Sequence, residues 1–320
     1  MRTFFALAMS LSWLALMPPA AAQDWPSRSI TIVVPYAPGG TTDITARLVA
    51  SKLGTELGRP GIVENRPGAG GSIGAGFVAK APPNGYTLLM AGFSHAINAK
   101  LYKNLPFDLQ KDLVGVVQIT SQPLVLAVHK DFPARTLAEL VRYVREGKGP
   151  VNYGSAGVGT AYHLAGALFN SMAQGKMVHV PYKGGAPAVA AAVSGEIQVA
   201  IGPISELLPN IKAGNVRALG ISTRTRSPYL PDAPPIDETL PGYDLSVWSG
   251  LMAPALTPPD VVAKINAAVN KSLQDPEIQK TIAAQGAQAV GGTAAEFNQT
   301  MGVELEKADR LVKISGAAVD

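Results

Sequence analysis

From Ser29 onward, short β-branched runs alternate with amphipathic stretches. Ile30-Thr31-Ile32-Val33-Val34 reads as a strand, Thr42 to Leu57 carries Ile44, Leu48, Leu53 and Leu57 at helical spacing, and Ile62-Val63 and Tyr86 to Met90 read as further strands. Such alternation predicts βαβ units around a mostly parallel sheet. A second series follows: a strand over Leu124 to Val128, a helix over Thr136 to Glu146, a strand at Val151-Asn152-Tyr153, a helix over Thr160 to Met172, a strand over Val178 to Val180, a helix over Ala186 to Ser194, and strands over Ile197 to Ile201 and Ala218 to Ile221. Two α/β lobes are expected rather than one large sheet.

Residues 223 to 244 are rich in proline, and Leu245 to Met252 reads as one more strand, after which only helical patterns follow. The last of these, about 294 to 314, puts Phe297, Met301, Leu305, Ala308 and Val312 on one face, with Glu306 and Arg310 spaced for an i,i+4 pair. These helices need a sheet to cover, and the second lobe already has its own. The chain is therefore expected to return to the first lobe, with connections near 119 to 124 and 246 to 251 and a cleft between the lobes. The expected division is 1–22 as a cleaved leader, 23–121 plus 250–320 as lobe 1, and 122–249 as lobe 2.

Composition narrows the function. The 320 residues are 47% hydrophobic, enough for a sizeable core, and Lys plus Arg number 27 against 23 Asp plus Glu, with no block of five like charges. That excess is too small and too scattered for a nucleic-acid binder. There is no cysteine, which removes thiolate metal sites and thiol nucleophiles, and the four histidines stand apart in sequence, so no metal is expected. Arg2, the apolar run Phe4 to Met17 and Ala20-Ala21-Ala22 read as a secretory signal peptide, too short for the roughly 20 residues of a spanning helix.

Candidate chemistry lies in glycine-rich turns between strand and helix. Pro35-Tyr36-Ala37-Pro38-Gly39-Gly40-Thr41-Thr42-Asp43 follows the first strand, Asn65-Arg66-Pro67-Gly68-Ala69-Gly70-Gly71 comes one βα unit later, and Tyr153-Gly154-Ser155-Ala156-Gly157-Val158-Gly159-Thr160 recurs in the second lobe. Such turns point successive N–H groups at one place and bind anions without a cationic side chain. Asp43 reads as a first-turn carboxylate that either fixes its loop or meets an amino or hydroxyl group of a solute. Nicotinamide binding is disfavoured: Ile73 replaces the third fingerprint glycine, and no acid occurs between Glu64 and Asp108. There is no P-loop motif. Gly154-Ser155-Ala156-Gly157 lacks the preceding glycine of a nucleophile elbow, which leaves an exported hydrolase using Ser155, with His163 and Asp43, as the competing reading.

The chain resembles the Bug family, the periplasmic solute receptors of tripartite tricarboxylate transporters, over its mature length. The resemblance rests on Val34-Pro35-Tyr36-Ala37-Pro38-Gly39-Gly40-Thr41-Thr42-Asp43 with Ala46-Arg47, Asn65-Arg66-Pro67-Gly68-Ala69-Gly70-Gly71, His95-Ala96-Ile97-Asn98 with Leu101-Tyr102, Leu105-Pro106-Phe107-Asp108, Val180-Pro181-Tyr182-Lys183-Gly184, Gly242-Tyr243 and Trp248. Pro234-Pro235 departs from the family's usual proline-threonine pair. The resemblance implies a type II periplasmic-binding-protein-like α/β fold, two lobes joined by two crossovers, closing on a small carboxylate without catalysis or cofactor. It implies that the turn at Tyr36, Pro38, Gly39, Gly40, Thr41, Thr42 and Asp43 faces Ser155, Gly157, Gly159 and Thr160, with Ser94, His95, His163, Tyr182 and Pro203 as walls. It also implies a periplasmic monomer that delivers its solute to transporter membrane subunits. Citrate-like, dicarboxylic amino acid and aromatic carboxylates all remain open as ligands.

Overall fold

The computed structural model describes residues 25–317; the leader expected at 1–22 lies outside them. In chain order the elements are β1 (Ile30–Val34), α1 (Thr41–Leu57), β2 (Gly61–Asn65), α2 (Ser72–Ala79), β3 (Thr87–Gly92), α3 (Phe93–Leu101), β4 (Leu113–His129), α4 (Leu137–Glu146), β5 (Asn152–Ser155), α5 (Ala161–Met172), β6 (Val178–Pro181), α6 (Gly185–Ser194), β7 (Val199–Pro203), α7 (Ile204–Lys212), β8 (Val216–Ile221), β9 (Ser246–Pro254), α8 (Pro259–Ser272), α9 (Pro276–Ala284), β10 (Gln288–Gly291) and α10 (Ala294–Ser315). The helices form where periodic apolar faces meet good ends. In α4, Leu137, Leu140, Val141 and Val144 are buried, the Thr136 side chain accepts the N–H of Glu139, and Gly147 closes the helix in the left-handed region.

The strands join in the order β2-β1-β3-β9-β4-β7-β5-β6, with β8 and β10 also pairing β4. Within each lobe the βαβ strands are parallel: β1 with β2 and β3, and β5 with β6 and β7. The antiparallel partners cluster on β4, whose first half pairs β9 and β10 and whose second half pairs β7 and β8. The chain thus passes from one lobe to the other inside a single strand, and returns where Ser246 of β9 pairs Pro123. One apolar cluster, containing Ala96, Leu164, Trp248 and Leu305, runs through both lobes on one face of the sheet; separate clusters around Ile32, Val49 and Ile265 and around Val189, Ile204 and Leu207 fill the other face.

The structure differs from the sequence reading in several places. The two lobes do not have separate sheets: β4 and β9 join all ten strands into one. Helix α1 buries Ala46, Val49, Ala50 and Leu53 and leaves Ile44 exposed, so its inward face is not the Ile44-Leu48 one. Strand β4 begins at Leu113, not Leu124, because Gly115, Gln118, Thr120, Ser121 and Gln122 dilute its apolar alternation and two register shifts against β9 interrupt its period. A strand, β10, follows β9, where only helices were expected; it has four residues and ends in Gly291. Helix α7 went unread because Pro209 lies inside it. Glu306 and Arg310 do not pair; the ion pairs within α10 are Lys307 with Glu304 and Lys313 with Asp309, and Lys307 also pairs with Asp244 outside it.

The register places the functional edge. Gly92, the last residue of β3, pairs Ser249, which pairs Thr120; Pro203, the last residue of β7, pairs Leu124. The carboxyl ends of the parallel strands in both lobes therefore lie beside the same short stretch of β4 and face one another.

Candidate functional site

On the lobe-1 side, the turn after β1 exposes Pro38, Gly39, Gly40 and Thr41 and half-buries Tyr36 and Thr42. Asp43 is 3% exposed. Its carboxylate accepts the Gly39 N–H (2.9 Å), Asn65 Nδ2 (2.8 Å) and the Arg47 guanidinium through two nitrogens at 3.0 Å. Arg47, assisted by those hydrogen bonds, holds the Asp43 carboxyl at about 2, below the usual range. Asp43 is thus the loop's own anchor, fully neutralised, and the Gly39 amide is spent on it. The expectation that Gly39 offers its N–H to a ligand is corrected: the donors left open are one step further on. Helix α1 has no side-chain cap, so the N–H groups of Thr41, Thr42 and Asp43 have no intrahelical acceptor.

Behind this turn Tyr36 and Ser94 share a hydrogen bond, and burial holds the Tyr36 phenol up. His95 is 2% exposed, so it is a support of the wall rather than its surface. Its Nδ1 accepts the Gly92 N–H (3.1 Å), its ring meets Tyr36 edge-on, and burial lowers it to about 4, keeping it neutral. Gly71 (φ 100°) lies against its Nε2, where a side chain would be both strained and crowded. Asn98 Nδ2 ties down the same loop through Gly70 O (2.9 Å).

On the lobe-2 side, Ser155 is fully buried. Its hydroxyl bonds His179 Nε2 (2.6 Å) and accepts the Gly157 N–H (3.1 Å). The Gly159 N–H donates to His163 Nδ1 (3.2 Å), the Thr160 N–H to Gly157 O (3.4 Å), and the Thr160 side chain caps α5 at His163 N. Here too the expected amides of Gly157, Gly159 and Thr160 are engaged by the protein, because the turn is tight enough for each to find a neighbour. The open donors are the N–H groups of Ala161 and Tyr162; the start of α6 also lacks a side-chain cap, but there the Glu206 carboxylate already lies against Gly185. His163 stacks on His179 with centroids 3.9 Å apart, and burial with that neighbour lowers it to about 4. Both line a cavity of about 420 Å³ with Tyr153, Met177, Ile314 and Ser315, so His163 is not a cleft wall. Tyr182 is turned away as well: its hydroxyl donates to Glu196 (2.8 Å) and its ring packs in the lobe-2 core. Pro203 is half-buried at the end of β7.

The residue contacts do not assemble a Ser155 hydrolase. Ser155 pairs with His179 rather than His163, and Asp43 is committed to Arg47 and Asn65 in the other lobe. Sequence reasoning missed His179 as the partner of Ser155, and missed the Tyr162–Glu206 pair (2.7 Å) beside Gly185. The signal available for the latter was Gly184-Gly185, a fourth glycine turn after a strand. Among the described residues no three of His, Cys, Asp or Glu group as a metal site, and no helix is long and apolar enough to cross a membrane.

Two α/β lobes sharing a hinge strand, with helix amino termini opposed across it, define a two-lobed solute-binding protein. The family model described as tripartite tricarboxylate transporter family receptor matches residues 45–317. The chain belongs to that family. It is 32% identical to Protein BugT of Bordetella pertussis, covering 99% of this chain and 98% of that one. Rpa4515 of R. palustris, solved with adipate, is similar at 33% identity and a TM-score of 0.76, over 92% of this chain and 99% of that one. MatC (Rpa3494) of Rhodopseudomonas palustris, solved with bound malate, is similar at 32% identity and a TM-score of 0.73, over 90% and 100%.

Proposed function

We propose that the chain is an exported receptor that captures a small carboxylate between its lobes, releases it unchanged, and works as a periplasmic monomer serving the membrane subunits of a tripartite tricarboxylate transporter. The lobes are 23–121 plus 250–320 and 122–249, with 1–22 removed on export. The observation that carries this reading is the set of helix-start N–H groups left without an intrahelical acceptor at the facing strand ends. The N–H groups of Thr41, Thr42 and Asp43 oppose those of Ala161 and Tyr162. The turns at Pro38-Gly39-Gly40 and Gly157-Val158-Gly159 hold these amides in place, and Tyr36, Ser94 and Pro203 flank them.

Hydrogen bonds to a charged group contribute roughly 1.5 to 3 kcal/mol each. Four to six therefore suffice for a micromolar affinity of about −8 kcal/mol after desolvation and closure costs. A ligand that bonds both lobes stabilises the closed state selectively, and closure is what a membrane partner reads. The carboxylates bound by Rpa4515 and MatC support the ligand class.

The test is Thr41→Asp. A carboxylate at the start of α1 favours the helix by about 0.3–1 kcal/mol, so the melting temperature should hold or rise. The same charge occupies the anion's place, so calorimetry should show carboxylate affinity falling at least about tenfold, or about 1.4 kcal/mol. Unchanged affinity in this variant overturns the site.

A further inference from the structure

The lobe-2 edge carries a carboxylate that the anion-capture reading does not use. Glu206, the third residue of α7, is exposed at the carboxyl end of β7. The hydroxyl of half-buried Tyr162 donates to its Oε1 at 2.7 Å. Its Oε2 lies against Gly185 at the start of α6, where any side chain would collide with it. Gly202 clears the space for the Tyr162 ring, whose Cε1 would be 2.8 Å from a Cβ there. Two glycines at the ends of adjacent strand–helix units thus seat one phenol and one carboxylate together.

The electrostatic contrast with the other lobe is sharp. Asp43 is buried and neutralised by Arg47. Among the ion pairs of the described residues, none involves Glu206. Tyr162 gives its only proton to Glu206, so the pair presents lone pairs and a negative charge to whatever enters. A second carboxylate arriving there meets like-charge repulsion and no donor from these side chains. An ammonium meets a charge-assisted acceptor.

We infer that Glu206, positioned by Tyr162, makes the receptor select a carboxylate whose far end is an amino group over a dicarboxylate of the same length. The inference rests on the carboxylate-receptor reading and narrows its ligand.

Calorimetry on the mature protein with matched probes tests it: 6-aminohexanoate, adipate and hexanoate, and the corresponding 5-aminopentanoate, glutarate and pentanoate. The amino acid of at least one set should bind at least about tenfold more tightly than its diacid, one charge-assisted hydrogen bond being worth that much. In Glu206→Gln the ratio should fall by about tenfold, while hexanoate or pentanoate binding changes little. Tyr162→Phe, which keeps the ring over Gly202, should shift the ratio less. Diacids binding as tightly as the amino acids, or a ratio unchanged in a Glu206→Gln protein with the parent's circular dichroism, overturns the inference alone. If no carboxylate in the panel binds, the receptor reading falls with it.

Discussion

At the scale of single residues, the turns that look like open anion cradles are largely self-satisfied. Asp43 takes the Gly39 N–H, Ser155 takes that of Gly157, and His163 takes that of Gly159. Buried histidines make this scaffold sensitive to acid. His95 and His163 have folded values near 4, against an ordinary 6.5. Between those values the unfolded chain takes up protons that the folded one refuses. The stability they contribute is complete above about pH 6.5 and is lost as pH falls through 4, at about 1.4 kcal/mol per pH unit for each. Urea titrations across this range should show the decline, and His95→Gln should make it shallower. Asp43, held at about 2, adds a second loss between about pH 4 and 2, absent in Asp43→Asn.

At the scale of elements, regular segments were legible and irregular ones were not. The β-branched run of β1 and the apolar spacing of α4 and α10 mark themselves, because burial repeats with the period of the backbone; the extent of α1 was legible but its buried face was not, since it is made of Ala46, Val49, Ala50 and Leu53. The start of β4, all of β10 and α7 did not mark themselves, because bulges, glycine and Pro209 break the period while tertiary pairing supplies the missing stability. The candidate site was legible in place but not in detail. The sequence located the turns, yet which N–H groups remain open depends on acceptors such as Asp43 and His163 swinging back four residues. The junction of α10 with β9 is equally invisible in sequence: Trp248 Nε1 donates to Glu304 (3.1 Å), and Lys307 bonds both Glu304 and Asp244. Lys307→Met leaves Glu304, 5% exposed, without its cation. The expected loss is about 2 kcal/mol by denaturant titration, short of the roughly 3–5 for a fully buried pair because Lys307 keeps 30% of its surface in water. Gly250→Ala should cost about 1–3 kcal/mol, since its new methyl meets the Phe297 ring and Val117 O.

At the scale of the whole molecule, the lobes are tied at several places besides the crossing strands. Gln122 Nε2 donates to Gln285 O, and Gly286 (φ 72°) packs on Ile204 and Ser205. The end of α10 reaches the cavity beside His163 and His179. A ligand at 100 times its dissociation constant should add about 2.7 kcal/mol to the stability of this assembly, and small-angle scattering should register a smaller radius of gyration on saturation. The seventeen residues of β4 have one more consequence. Half of that strand's ladder belongs to each lobe, so melting either one strips hydrogen-bond partners from the other. Heating should therefore produce a single calorimetric peak whose van't Hoff and measured enthalpies agree, and a chain severed between 121 and 123 should recover its fold only when both pieces are mixed.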